Sequence, residues 1–554
     1  MVAKHDRLFR KINYVGYGVF NDIRSRIPYY YSDIKDSWNY RVIPSTVFIF
    51  FTNLLPAIAF AQDMIDHTNN SYGVNEVLLS SAIAGVMFGL LSGQPLCIVG
   101  VTGPISIFNY TVYQLIKPRG TPYFPFMCWV YLWSMVMHLF LALGNFVSFL
   151  SIISSFSCQV FGLFICVVYI QKGISILGNQ FKDDIIGGFC SVVVSLLMTV
   201  FGVGSVLFGT TTHYFKPWIR HIFSDYGVPL AVVFFTGFIH FGGYLDAATL
   251  KKLPVTNSFE PSMTGSGRPY GWFIHFWPPD NISVPDMFLA LPFSLLLTFL
   301  FYFDHNVSSL MCQSKQFPLT KPSSFHWDFT LLGIMTGLAG ILGIPAPNGL
   351  IPQAPLHTES LVIRDHRTGQ AKAVVEQRLT NSLQGALTFV MMSPPFLIIL
   401  GLIPQAILAG LFFIMGFTGL HNNEITNKVR FLFMDSDYID NDPSCPLIFK
   451  ELRAIENKKW FYIYLLLQVI AAACEVAITM TKGAVGFPGV LLFFAICAKW
   501  LWPKFIPPEE LNYLDPEVAD EVVVRNLKIV TDIKKPEKAK IYDIDEVTSS
   551  IKYS

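Results

Sequence analysis

Two long apolar stretches of this chain are broken in mid-run by glycine and proline, and no other feature limits its fold as much. The first break is Gly93-Gln94-Pro95-Leu96-Cys97-Ile98-Val99-Gly100-Val101-Thr102-Gly103-Pro104. The second, far downstream, is Gly343-Ile344-Pro345-Ala346-Pro347-Asn348-Gly349-Leu350-Ile351-Pro352-Gln353-Ala354-Pro355. Irregular backbone at membrane depth survives only where protein buries it or where it lines a watery cavity. Two such breaks in corresponding places point to a binding site at the interface of two repeats.

The setting is a membrane one. Charged residues make up 14% of the chain and hydrophobic ones 52%, whereas soluble domains carry charge on about 25% of residues. The net charge of +1 and the lack of a long basic run give no reason to expect nucleic acid as a partner. Nine cysteines lie scattered, without zinc-type spacing. No metal site and no cofactor is expected. The start, Met1-Val2-Ala3-Lys4-His5-Asp6-Arg7, lacks the apolar core of a cleavable signal peptide.

Apolar runs long enough to span a bilayer recur from Val42 to Trp502. Counting the two interrupted segments, they predict an all-α integral membrane protein of about 14 elements, seven plus seven in an inverted repeat with two half-helices. Among them, passes are expected over Val228–Gly243, Met287–Phe303 and Ala386–Leu402. Basic residues before the first pass, among them Arg24, Arg26, Lys35 and Arg41, favour a cytoplasmic N-terminus. Alternate loops then fall inside with most of the Lys and Arg, with Lys251, Lys252 and Arg268 as exceptions. The sequons at Asn69 and Asn281 fall outside in this threading. Residues 1–41 form a cytoplasmic arm, 42–504 the transmembrane domain, and 505–554 a cytoplasmic tail, largely disordered. Small residues Gly85, Gly89 and Gly93 before the first break, and Gly337, Gly340 and Gly343 before the second, suit close helix approach.

A half-helix starting in mid-membrane presents free N–H groups and a positive dipole end, which favour an anion without arginine or lysine. Gly100 and Gly103 allow close backbone approach, Thr102 offers a hydroxyl, and Asn348, Gly349 and Gln353 form the facing end. For Gln94, Asn348 and Gln353, bracing of the broken backbone is an equal alternative to substrate binding. Asp304, at the end of an apolar run, could take a substrate hydroxyl or carry a coupled proton. His305 reads as an ordinary solvated histidine near the interface. Glu475, in Ala471-Ala472-Ala473-Cys474-Glu475-Val476, is a secondary candidate. On backbone access alone, Gly103→Val is expected to be more damaging than Gly85→Ala.

With these residues in view, the chain resembles the bicarbonate-transporter superfamily, which includes the anion exchangers of red cells. Gly93-Gln94-Pro95-Leu96, Val99-Gly100 and Gly103-Pro104 match its third-helix motif. Phe303-Asp304-His305, with Ile344-Pro345, Asn348-Gly349, Pro352-Gln353, Pro355 and His357-Thr358, is similar to the borate-transporter branch of plants and fungi. The resemblance implies a core of segments one to four and eight to eleven, about 42–147 and 286–402, moving against a gate, about 148–246 and 403–504. It implies borate export across the plasma membrane by alternating access, in a homodimer joined through the gate. Gln353 takes the place of an arginine of the animal exchangers, and Asp304 matches their acidic residue in the eighth helix. Only a short arm precedes Val42, so no cytoskeletal anchoring is expected. The alternatives are a bicarbonate or other small-anion exchanger, or a nucleobase-type carrier of the same fold. An enzyme is not expected, since no clustered nucleophile, base and metal set occurs, and there is no ATP-binding loop.

Overall fold

The computed structural model describes residues 15–515 and 518, apart from 151–152, 210–211, 217–218, 221, 441, 447–448, 451, 454, 508–509 and 512 in side-chain detail and 183, 213, 242–249, 263–267, 269–270, 365–370, 442–444, 446, 456–457 and 482 altogether. Two short helices, α1 (Tyr17–Arg26) and α2 (Tyr30–Lys35), precede the apolar region. The first half then runs through α3 (Val42–His67), α4 (Val74–Leu91), α5 (Gly103–Ile116), α6 (Tyr123–Leu143), α7 (Ser155–Gln180), α8 (Ile185–Thr211) and α9 (Pro217–Phe238). The second half runs through α10 (Val284–Cys312), α11 (His326–Leu342), α12 (Gln353–Ser360), α13 (Leu379–Val390), α14 (Pro394–Leu400), α15 (Gln405–Asn422), α16 (Glu424–Leu432), α17 (Lys458–Thr479), α18 (Phe487–Ile496) and α19 (Pro508–Leu514).

Among the described residues, nine helices are long and apolar enough to cross a bilayer, or ten with the bent pair α13 and α14. That pair corrects the single pass expected over Ala386–Leu402. The chain turns by 87° between the two helices, where Ser393 precedes Pro394 and Pro395 and the residue before a proline is driven out of the helical region. The pass expected over Val228–Gly243 starts earlier, at Pro217, and residues 242–243 lie outside the described ones. The tail also begins with structure, since 508–514 are helical and Asp515 accepts a 2.8 Å hydrogen bond from the Phe156 N–H at the start of α7. Most of the expected disordered tail, 519–554, and residues 1–14 of the arm lie outside the described residues.

Glycine sets the tightest helix contacts, as the sequence suggested. α4 lies on α13 so closely that a Cβ on Gly85 would sit 2.9 Å from the Gly385 Cα and 2.3 Å from Gln384 Nε2. α11 lies on α6 in the same manner, and a Cβ on Gly340 would sit 2.9 Å from Tyr131 Cβ. Gly103 is less confined, its nearest neighbour being the Tyr169 ring at 3.1 Å. Geometry thus places Gly85, not Gly103, under the stricter backbone constraint. Gly85→Ala is expected to lower stability by about 1–3 kcal/mol through overpacking, seen as a lower melting temperature of the purified protein.

Buried charges fasten both ends of the bundle. Asp33, in α2, accepts hydrogen bonds from Arg26 (3.3 Å) and Lys321 (2.7 Å) and pairs with Arg378 at 3.0 Å. Asp22 of α1 accepts from the His326 and Trp327 N–H groups at 2.7 and 3.1 Å, which caps α11 from another part of the chain. At the opposite end Glu76, in the first turn of α4, accepts from Arg268 at 2.8 Å, with neither side chain exposed. Arg268 also lies 4.0 Å from the centre of the Phe124 ring. This explains one exception to the charge pattern, because the Arg268 charge is neutralised by Glu76 and is not a free loop charge.

Candidate functional site

Each break ends in a short strand, and the two strands meet. β1 (Val99–Gly100) pairs antiparallel with β2 (Asn348–Gly349), Val99 opposite Gly349 and Gly100 opposite Asn348. Leu350 N–H extends the ladder to the Ile98 carbonyl at 2.9 Å. Each strand leads into a half-helix: β1 into α5, where the Thr102 side chain accepts from Ile105 N–H at 3.5 Å, and β2 into α12. Pro104 stands in the first turn of α5, where its missing N–H costs nothing.

Backbone groups that no helix satisfies must find partners elsewhere. Here side chains supply them. Asp328 of α11 accepts from Gly93 N–H (2.6 Å) and Gln94 N–H (2.9 Å). Asn381 of α13 donates to the Pro95 and Cys97 carbonyls at 3.1 and 2.9 Å, and Arg378 donates to Ser92 O at 2.7 Å. Ser80 donates to the Pro345 carbonyl at 2.6 Å, and Ala346 N–H reaches the Tyr131 hydroxyl at 3.3 Å. Asp328, Asn381 and Arg378 are not among the residues expected at the site. Asp328 carried a signal all the same, as an acid in the first turn of an apolar helix.

Beside the crossing lies a narrow cleft of about 10 Å³, roughly the room of one water molecule and partly open to solvent, lined by Thr102, Pro104, Ile165, Tyr169, Asp304, Gly349, Leu350, Ile351 and Pro352. Three expected site residues therefore come together there: Thr102, Asp304 and Gly349. Asp304 Oδ2 accepts from Asn348 Nδ2 at 3.1 Å, and Asn348 Oδ1 accepts from the Gly349 N–H at 2.8 Å. Among the described residues Asp304 Oδ1 has no hydrogen-bond partner, although Asp304 is only 2% exposed. The free oxygen and the cleft belong to one place.

The helix around Asp304 corrects two expectations. α10 continues from Val284 to Cys312, so Asp304 sits inside a helix and not at the end of one. His305 is fully buried, its ring 5.3 Å from that of Phe88 and neither ring nitrogen hydrogen-bonded among the described residues, rather than solvated. Both errors share one cause: the polar run 304–309 looks like a helix end, yet it faces packed protein.

The remaining expected residues stand outside the cleft lining. Gln94 is fully buried, its Oε1 accepting from Leu96 N–H at 3.4 Å. Gln353 begins α12 and reaches the Thr52 carbonyl only at 3.5 Å. Gly100 and Gly103 lie on the two sides of Thr102, Gly100 in the crossing and Gly103 at the helix start. Glu475 of α17 is fully buried with neither carboxyl oxygen hydrogen-bonded among the described residues, and its charge and that of Asp304 are within electrostatic reach. The lining residues Ile165 and Tyr169 were not foreseen. Nor was the pair formed one turn beyond Tyr169 on α7, where Lys172 Nζ lies 2.8 Å from Asp63 of α3 and 3.2 Å from the Tyr110 hydroxyl. A lone lysine within an apolar run was the available signal.

Gly349 has no room for a side chain. A Cβ there would lie 2.8 Å from His305 Cα and 2.9 Å from Ser308 Cβ, so α10 would have to leave the strand. Gly349→Ala is expected to cost about 1–3 kcal/mol of stability, read as a lower melting temperature of the purified protein.

Residues 13–194 and 188–519 match the HCO3- transporter integral membrane domain. The chain belongs to this family. It is thus a multi-pass integral membrane protein, as its apolar helices suggest. Within the family it is 52% identical over 532 residues to "Boron transporter 1" of Saccharomyces cerevisiae, covering 94% of this chain and 89% of that protein. It is 45% identical over 521 residues to a putative transporter of Schizosaccharomyces pombe, covering 92% and 98%. The "Band 3 anion transport protein" of Homo sapiens is 26% identical over 530 residues, 91% of this chain and 56% of that longer protein. Among solved structures, SLC26A9 superposes with a TM-score of 0.51 at 12% identity, over 83% of this chain and 65% of that one. That likeness concerns the fold alone.

Proposed function

We propose that this protein is a secondary transporter that exports borate across the plasma membrane, binding the anion in the cleft beside the β1–β2 crossing. The observation that carries this reading is the 52% identity to a boron transporter along nearly the whole chain. The cleft chemistry agrees with it. The starts of α5 and α12 supply N–H groups and positive dipole ends for an anion. The unpartnered Asp304 Oδ1 and the Thr102 hydroxyl can hydrogen-bond hydroxyls. Tetrahedral borate offers both a negative charge and four hydroxyl donors, whereas chloride offers none for Asp304 to accept.

In this reading Thr102, Asp304 and Gly349 touch or shape the bound anion. Gln94, Gly100, Gly103, Asn348 and Gln353 hold the two half-helices in place. Asp304 carries the coupled proton, with Glu475 as a second candidate. The chain forms a seven-plus-seven inverted repeat, a reading supported by the mirrored packing of α4 on α13 and of α11 on α6. The core, about 42–147 and 286–402, moves against the gate, about 148–246 and 403–504, to give alternating access. Two copies join through the gate, and both termini face the cytoplasm. The protein performs transport and no covalent chemistry.

Cellular boron content tests this reading, in cells lacking their own exporter and with surface expression verified. The chain is expected to lower boron relative to cells without it. Equal boron in both would overturn borate as the substrate.

A further inference from the structure

Residues 17–43 are built inside out. In α1, Gly18, Asp22 and Arg26 are buried at a spacing of four, which places one polar face of the helix against the protein. The opposite face carries Tyr17, Phe20 and, just beyond the helix, Ile27, with Phe20 62% and Ile27 65% exposed. α2 repeats the arrangement, with Asp33 buried while Tyr31 and Ile34 are exposed. Trp38 follows at 93% exposure, then Tyr40 at 75% and Ile43 at 74%. The segment thus gives three of its charges, Asp22, Arg26 and Asp33, to the protein interior and its aromatic rings to the outside.

A strap facing water would have the reverse pattern, because apolar surface is driven out of water and buried charge is costly. Its charges are also well held: Asp33 meets Arg26, Lys321 and Arg378, and Asp22 caps α11, so the strap cannot turn over without breaking these bonds. The outward face therefore needs an apolar neighbour. Continuity supplies it. Val42 begins the first spanning helix directly after Arg41, so the strap lies at the level where that helix enters the bilayer. Tryptophan and tyrosine favour that headgroup level.

We propose that residues 17–43 dock, aromatic face down, onto an anionic lipid surface on the side of the membrane where α3 begins. Arg24 and Lys35 are exposed alongside the rings and Arg41 is half-buried, while the exposed Asp36 is neutralised by Lys321 at 2.8 Å. Bases near such a surface are attracted to acidic headgroups. The strap thereby ties α11, the loop before it and the start of α13 to one leaflet. This inference does not depend on which anion the protein carries.

The test uses the full chain reconstituted in bilayers with and without phosphatidylserine. Trp38 emission is isolated as the difference between the wild type and Trp38→Phe, a change at an exposed site. Lipids brominated near the top of their acyl chains are expected to quench that difference signal, with aqueous iodide nearly without effect. Quenching is expected to fall about twofold or more without phosphatidylserine, or when Arg24→Glu and Lys35→Glu are combined. Quenching by iodide and not by brominated lipid would overturn the proposal, since the face would then be in water. Protection from both quenchers would overturn it too, since protein would then cover the face. Lipid quenching indifferent to phosphatidylserine and to both charge reversals would overturn the anionic requirement.

Discussion

Asp304→Ala is expected to reduce borate efflux to the level of cells without the chain, while leaving the protein folded at the surface. Asp304 provides the one carboxyl among the residues lining the cleft. Its Oδ2 is fixed by Asn348, which leaves Oδ1 for cargo or a proton. Alanine removes both oxygens and strands the Asn348 amide, whose own carbonyl oxygen holds the Gly349 N–H. Asp304→Asn separates the two roles. It keeps the shape and an acceptor oxygen but cannot gain or lose a proton. If proton carriage matters, this variant also fails, and its residual flux no longer responds to a pH gradient. If Asp304→Asn transports as the wild type does, Asp304 is a hydrogen-bonding residue only. Normal flux in Asp304→Ala would remove the residue from the mechanism altogether.

The second large effect is expected at Glu76. Glu76→Ala leaves the Arg268 guanidinium buried without its carboxylate, beside the Phe124 ring, and also takes the acceptors of Ser262 and the Gly73 N–H. Removing one partner of a buried pair costs about 3–5 kcal/mol, much of it from the stranded charge. Arg268→Met is expected to be milder, because Glu76 keeps its donors from Ser262 and Gly73. Combining Glu76→Leu with Arg268→Met should recover part of the loss, since replacing both charges by apolar groups avoids the desolvation penalty. Melting temperatures of the purified variants give the order: Glu76→Ala lowest, the double variant above it. If the double variant melts below Glu76→Ala, the pair is a net source of stability and the stranded-charge argument fails.

Much of this was legible because it is written in local chemistry. Glycine and proline mark the breaks, Thr102 before Gly103-Pro104 marks a half-helix start, and an acid within an apolar run marks Asp304. What was hidden depends on contacts between distant residues. No sequence pattern says that Val99 will face Gly349, or that Asp328 and Asn381 will receive the backbone of the first break. The run Asp304–Ser309 misleads for a related reason. Polar residues in a lipid-facing helix would end the span, but in a helix enclosed by protein they continue it, and all but Val307 in that run are polar and buried. The Pro394-Pro395 pair, by contrast, is a readable breaker inside the pass expected over 386–402.

The crossing of the two strands also bears on how the chain can be made. Val99 and Gly349 are 250 positions apart, so the partner of the first break is synthesised long after the break itself enters the bilayer. At ordinary elongation rates that gap lasts roughly ten to fifty seconds. During it, the exposed peptide groups of residues 93–102 lack β2, and they also lack Asp328, Arg378 and Asn381, which are still to come. The nascent first half must therefore be sheltered by the insertion machinery or by water drawn into the bilayer. Ribosome stalling or truncation between the halves should leave a product that is quickly degraded rather than a half-transporter at rest.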